Sequence, residues 1–133
     1  MKVVLDTNVV ISALLTRQGI CQRVLDYVFD QRGLWLSDQI QAEYDDVLHR
    51  PDFKFSSADI EGFSTKVDIC GQRMDPTRAP YKTKDPQDQM FLDLAFSAGV
   101  DFLVTGNIKD YPTTTRLPFQ IIKPTDFLKH LGL

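Results

Sequence analysis

The chain has 133 residues, 43% of them hydrophobic and 25% charged, and a net charge of −3. This length fits one domain over 1–133, large enough to bury about two thirds of its unfolded surface without staples. The composition excludes a disordered chain, and the mild acidity counts against a nucleic-acid binder without excluding one. No apolar run approaches the ~18 residues of a membrane span. Cys21 and Cys70 form no CxxC pair, so free, buried thiols and a cytoplasmic location are expected.

Lys2 to Asp6 is a run of apolar, mostly β-branched residues closed by an acid, the pattern of a short buried strand. A helix follows, capped by Thr7 or Asn8 and running through Val9, Ile11, Ala13 and Leu14. A second helix covers about Ile20 to Asp30. Gly33 ends it, and Leu34 to Leu36 is the next strand. Ser37 caps a third helix that reaches about His49 and stops before Pro51.

Asp52 to Phe55 is a loop. Ser56 or Ser57 starts a fourth helix expected to reach about Met74, with Gly62 a weak point inside it. A polar loop covers Asp75 to Lys84. Asp85-Pro86 opens a fifth helix to about Ala98, ended by Gly99. Phe102 to Thr105 is a third strand, Pro112 to Pro118 a loop, Phe119 to Ile122 a fourth strand, and Pro124 to Leu131 a last helix. Apolar strands alternating with amphipathic helices mean a parallel sheet covered on both faces. Ligands of such sheets bind at the carboxyl ends of the strands.

That rule singles out Asp6, Glu43, Asp88, Asn107 and Asp110. Asp6 ends the first strand; it either caps the next helix or, since Thr7 and Asn8 can cap, faces the cleft. Glu43 shares its helix face with Ile40, Tyr44, Val47 and Leu48, so it needs a partner: a core arginine or a cation. Asp88 precedes Phe91 and Leu92 by one helical turn and points inward, whereas Asp85 reads as a cap or a ligand. Asn107 and Asp110 follow the third strand after Gly106, which permits a sharp turn. Asn8 and Thr105 are placed to support the site or meet substrate. Clustered carboxylates repel unless a cation neutralises them, so the set points to a divalent metal and to hydrolytic or phosphoryl-transfer chemistry. Arg78, Lys82 and Lys84 lie on the loop that leads directly into Asp85 and Asp88, and that loop is either a grip on a phosphate backbone or a solvated loop.

Val4-Leu-Asp6-Thr-Asn8-Val, Glu43, Asp85-Pro-Gln-Asp88-Gln-Met-Phe-Leu-Asp-Leu-Ala95 and Leu103-Val-Thr-Gly-Asn107-Ile-Lys-Asp110 together resemble the PIN domain. This small metal-dependent nuclease fold often serves as the toxin of bacterial type II toxin–antitoxin pairs. The resemblance runs along the whole chain. Its Asp-Pro-x-Asp form and Arg50-Pro51 are similar to a subgroup of toxin components. It implies a three-layer α/β/α sandwich around a central, mainly parallel four- to five-stranded sheet. It also implies one or two Mg²⁺ or Mn²⁺ ions on Asp6, Glu43 and Asp88, with Asn107 or Asp110 in the fourth position. Asn107 stands where many members carry Asp. The implied activity is metal-dependent cleavage of RNA, with Asp6, Glu43, Asp88 and Asp110 as catalytic acids. The implied partners are RNA, a small antitoxin and a second copy of the chain.

One alternative is a catalytically weak or inactive PIN-like module that only binds RNA or a protein. Other α/β phosphoryl-transfer or receiver domains need an acid pair at the first strand end, and Asp6-Thr-Asn8 offers one acid. A Rossmann nucleotide binder needs a Gly-rich turn there, which is missing.

Overall fold

A computed structural model describes residues 1–112 and 116–133. The described elements are β1 (Val3–Leu5), α1 (Thr7–Leu15), α2 (Ile20–Asp30), β2 (Trp35–Leu36), α3 (Asp38–Leu48), α4 (Ser57–Cys70) and β3 (Gln72–Arg73). A 3₁₀ turn (Pro86–Asp88) then leads into α5 (Gln89–Ala98) and β4 (Phe102–Val104). A second 3₁₀ turn (Ile108–Asp110), β5 (Gln120–Ile122) and α6 (Pro124–His130) follow. The loop expected over 112–118 includes 113–115, which lie outside the described residues.

All strand pairs are parallel. β1, β4 and β5 form one sheet in that order, with Leu5 opposite Val104 and Val104 opposite Ile122. β2 and β3 form a second, two-stranded sheet. Among the described residues an isolated bridge from Val3 to Leu34 joins the two. The expectation of parallel strands with covering helices holds, but the single four- to five-stranded sheet is instead split three and two.

The strands are short and fully buried in the larger sheet's centre. Val4, Leu5, Leu103 and Val104 have no exposed surface. Each such side chain contributes about 1.5–3 kcal/mol by leaving water. α5 lies directly on β1, β2 and β4, and buries Phe91, Leu92, Leu94 and Ala95. It stops at Gly99, whose φ of 62° places it in the left-handed region. On α3 the buried stripe is Ile40, Tyr44, Val47 and Leu48. Among the described residues no helix is long and apolar enough to cross a membrane.

Two expected elements are corrected. The fourth helix ends at Cys70, four residues earlier than Met74. The backbone after Gly71 turns extended because Gln72 and Met74 donate to Leu34 O and Leu36 O, which builds β3. Both β3 side chains are exposed, so no apolar alternation marks the strand. The fifth helix also begins later. Pro86 to Asp88 wind as a 3₁₀ turn, capped by Asp85, whose Oδ1 accepts from Gln87 N. Ser56 caps α4 and Ser37 caps α3 through their side chains, as the sequence predicts.

Gly71 is where α4 meets β2. A Cβ there would stand 2.5 Å from Val67 O and 2.9 Å from Leu36 Cδ2. Gly71→Ala therefore overpacks the junction and should destabilise the protein by about 1–3 kcal/mol. A lower urea midpoint at constant slope is the expected result.

Candidate functional site

Because Leu5 pairs with Val104, the chain leaves β1 and β4 side by side, carrying Asp6 and Thr105 to the same edge. Asp6 N donates to Val104 O at 3.0 Å, which fixes the exit. Its carboxylate does not cap α1. It turns inward, only 4% exposed, where Oδ2 accepts from Thr105 Oγ1 at 2.9 Å and from Tyr111 Oη at 2.8 Å. Burial raises its pKa above the usual carboxylate range, and the two hydroxyls pull it back. Tyr111 is pushed far above the ordinary phenol range by burial and then by the charge on Asp6, so its hydroxyl stays a donor. Tyr44, fully buried on α3, donates to Leu5 O beneath the same turn.

Asn8 and Thr105 brace this turn. Asn8 Oδ1 accepts from Gly106 N at 3.0 Å, and Asn8 Nδ2 reaches Thr105 Oγ1 at 3.5 Å. Asn107 N donates to the same hydroxyl at 3.0 Å. Thr105 has no exposed surface, so its expected role in meeting substrate gives way to holding Asp6. Burial beneath the Gly106 turn is the physical reason.

The other acids reach the same region from different elements. Asp88 closes the first 3₁₀ turn, half-buried. Its pKa is pushed up to about 6, first by burial and then by the charges of Asp6, Asp110, Asp85 and Glu43. Five carboxylates therefore share one field. Glu43 is half-buried on α3 and has no ion pair among the described residues. Asp110 is half-buried in the second 3₁₀ turn, and its carbonyl accepts from Lys84 N at 2.9 Å. That bond joins the basic loop to the acidic edge. Asn107 is exposed, and its side chain makes no cap hydrogen bond.

The basic loop is anchored as well as joined. Gln89 Nε2 donates to Tyr81 O and to Asp93 Oδ1, both at 2.9 Å, and Asp93 Oδ1 also accepts from Ala79 N at 2.8 Å. Lys82 and Lys84 project from this pinned segment, exposed, as does Arg78. The loop's backbone is thus anchored, while its cationic side chains stand in solvent.

The oxygen donors suit a hard divalent cation. Their spacing does not. Among the described residues no three Asp, Glu, His or Cys side chains come together closely enough to hold an ion. Repulsion keeps carboxylates apart, and one oxygen of Asp6 is already taken by two hydroxyls. The expected metal set of Asp6, Glu43, Asp88, Asn107 and Asp110 thus shares an edge without closing a cage. The sequence pattern does not single out Tyr111 or Gln89. Its only signals there are an aromatic next to Asp110 and an amide one turn before Asp93.

A family model described as PIN domain matches residues 2–109. That is most of the chain, and the protein belongs to the PIN-domain family. No curated protein matches it.

A raised carboxyl pKa makes protonation favour the folded state. The stability linked to Asp88 is fully present below its ordinary value of 3.8 and is lost as pH rises through about 6. Asp88→Asn removes the repulsion. It should raise stability at neutral pH by roughly 1 kcal/mol after solvent screening, with no gain in strong acid. Thermal unfolding at the two pH values checks both halves.

Proposed function

We propose that this PIN-domain protein engages RNA at the acidic edge and, in the arrangement described, hydrolyses it weakly or not at all. The observation that carries the reading is the acid set itself: gathered on one edge, with Asp88 pushed up to about 6 by burial and then by its acidic neighbours, yet not closed into a cage among the described residues. RNA rather than a protein is favoured by the cations beside it. Arg78, Lys82 and Lys84 stand exposed on a loop tied to Asp110 and α5, a geometry suited to a phosphate backbone.

The second reading is a Mg²⁺- or Mn²⁺-dependent ribonuclease, with Asp6, Glu43, Asp88 and Asp110 as its acids. One observation favours it. Mutual repulsion at Asp88 is what a bound cation would relieve. The role of a toxin partnered by a small antitoxin, and self-association, extend this second reading. Their support is the resemblance of the Asp85-Pro86 segment and Arg50-Pro51 to toxin components.

A calorimetric Mn²⁺ titration separates the two readings. Saturable binding that both Asp6→Asn and Asp88→Asn abolish, accompanied by metal-dependent cleavage of RNA, would put the ribonuclease first. No saturable binding in the wild type is the outcome expected of the binding module. The loop is tested separately. Changing Lys82 and Lys84 to Ala should lower the salt dependence of RNA binding by about 0.7 in log–log slope for each phosphate left without its lysine. An unchanged slope would remove the loop from the interface.

A further inference from the structure

The proposed RNA-binding surface, on which the following rests, has a second cationic side. It lies beside the acidic edge, and Asp110 in its lining is joined to the end of the loop at 78–84 by the bond from Lys84 N. Thr105 N donates to Ile122 O, so the turn after β4 and the residue after β5 emerge together. They enclose an open hollow of about 720 Å³, lined by Gly106, Asn107, Ile108, Lys109, Asp110 and Lys123. Across the sheet the carboxyl ends run in order from Asp6 on β1, through the turn after β4, to Lys123 on β5. Acid therefore gives way to cation toward the sheet edge.

Lys109 and Lys123 are exposed, and neither is in an ion pair among the described residues. Against them stands one acid, Asp110, whose carbonyl is already held by Lys84 N. The lining residues alone carry one net positive charge, two lysines against one aspartate, beside the acids of the edge. Asn107 is what keeps it so. An aspartate at 107 would cancel that charge, whereas the amide offers two N–H donors and makes no cap hydrogen bond of its own.

We propose that this hollow holds a backbone phosphate of single-stranded RNA, contacted by Lys109, Lys123 and the Asn107 amide, next to the acidic edge. The loop at 78–84 and the hollow, joined through Lys84 N and Asp110 O, then offer the strand one run of cations along the acids. Asn107 trades a charge that would attract cations for a group that accepts an anion.

The test is fluorescence anisotropy of a labelled, unstructured RNA oligonucleotide in EDTA, so that cleavage does not enter. Wild type is compared with K109A/K123A, N107D and N107Q across a salt series. The double variant should bind about tenfold more weakly, with a slope shallower by about 0.7 for each phosphate it no longer neutralises. N107D should weaken binding and N107Q should retain it, since only the former adds a like charge against the phosphate. Wild-type affinity and slope in both K109A/K123A and N107D would overturn the hollow while leaving RNA binding intact. Failure of the wild type to bind at all would overturn the RNA reading and the hollow with it. All substitutions are at exposed positions, and circular dichroism verifies folding.

Discussion

The buried carboxylate of Asp6 sets the terms for the rest of the site. A charged group this far from water is costly unless hydrogen-bonded. Here two neutral hydroxyls meet one oxygen, from Thr105 at the end of β4 and Tyr111 beyond the next turn. These bonds join the first strand to a segment about a hundred residues later. They also fix which way the carboxylate faces. Thr105 in turn collects Asn107 N and the Asn8 amide, so the turn after β4 is locked through a single hydroxyl. Tyr44 supports the same corner from α3 by donating to Leu5 O. The edge is preorganised around Asp6, and the other acids are arranged relative to it.

Much of this was legible in the sequence, for identifiable reasons. β1, β4 and α5 are buried, so their apolar periodicity is strong, and the acids placed at their ends by that pattern do share one edge. Glu43 was readable because Ile40, Tyr44 and Val47 define the inward stripe of α3. β3 was not. It is two exposed polar residues, Gln72 and Arg73, held only by backbone bonds to β2. A helical propensity running on to Met74 outweighed a pairing that exists only in three dimensions. Tyr111 escaped for a similar reason. Nothing about a tyrosine in a polar turn says that its hydroxyl will be buried against a carboxylate from the other end of the chain. The spacing of the acids lay further still from sequence. Whether four carboxylates converge or merely share a field depends on turn geometry, including the 3₁₀ winding that replaced a regular first turn at Asp88.

The anchoring of the basic loop is a second device of the same kind. Gln89 and Asp93 lie one turn apart on α5 and satisfy backbone groups of the loop at Ala79, Tyr81 and Thr83. A lysine-bearing segment left free would lose conformational entropy each time it met a phosphate. Pinned to the helix whose N-cap is Asp88, its backbone is held in place before any ligand arrives. The bond from Lys84 N to Asp110 O closes the frame from the other side.

Binding and cutting then make different demands on one edge. Holding a phosphate backbone, as proposed, needs only exposed cations at fixed positions, and Arg78, Lys82, Lys84, Lys109 and Lys123 are exposed. Cutting needs several carboxylates to converge against their own repulsion, and the Thr105 and Tyr111 hydroxyls leave one oxygen of Asp6, Oδ1, outside their bonds. Burial raises the pKa of Asp88 first, and the charges of the neighbouring acids add to it. With Asn107 in the turn, the edge carries one acid fewer to draw a cation in and one repulsion fewer toward an anion. On the proposed reading, the balance of these two effects suits a surface that retains RNA rather than one that turns it over.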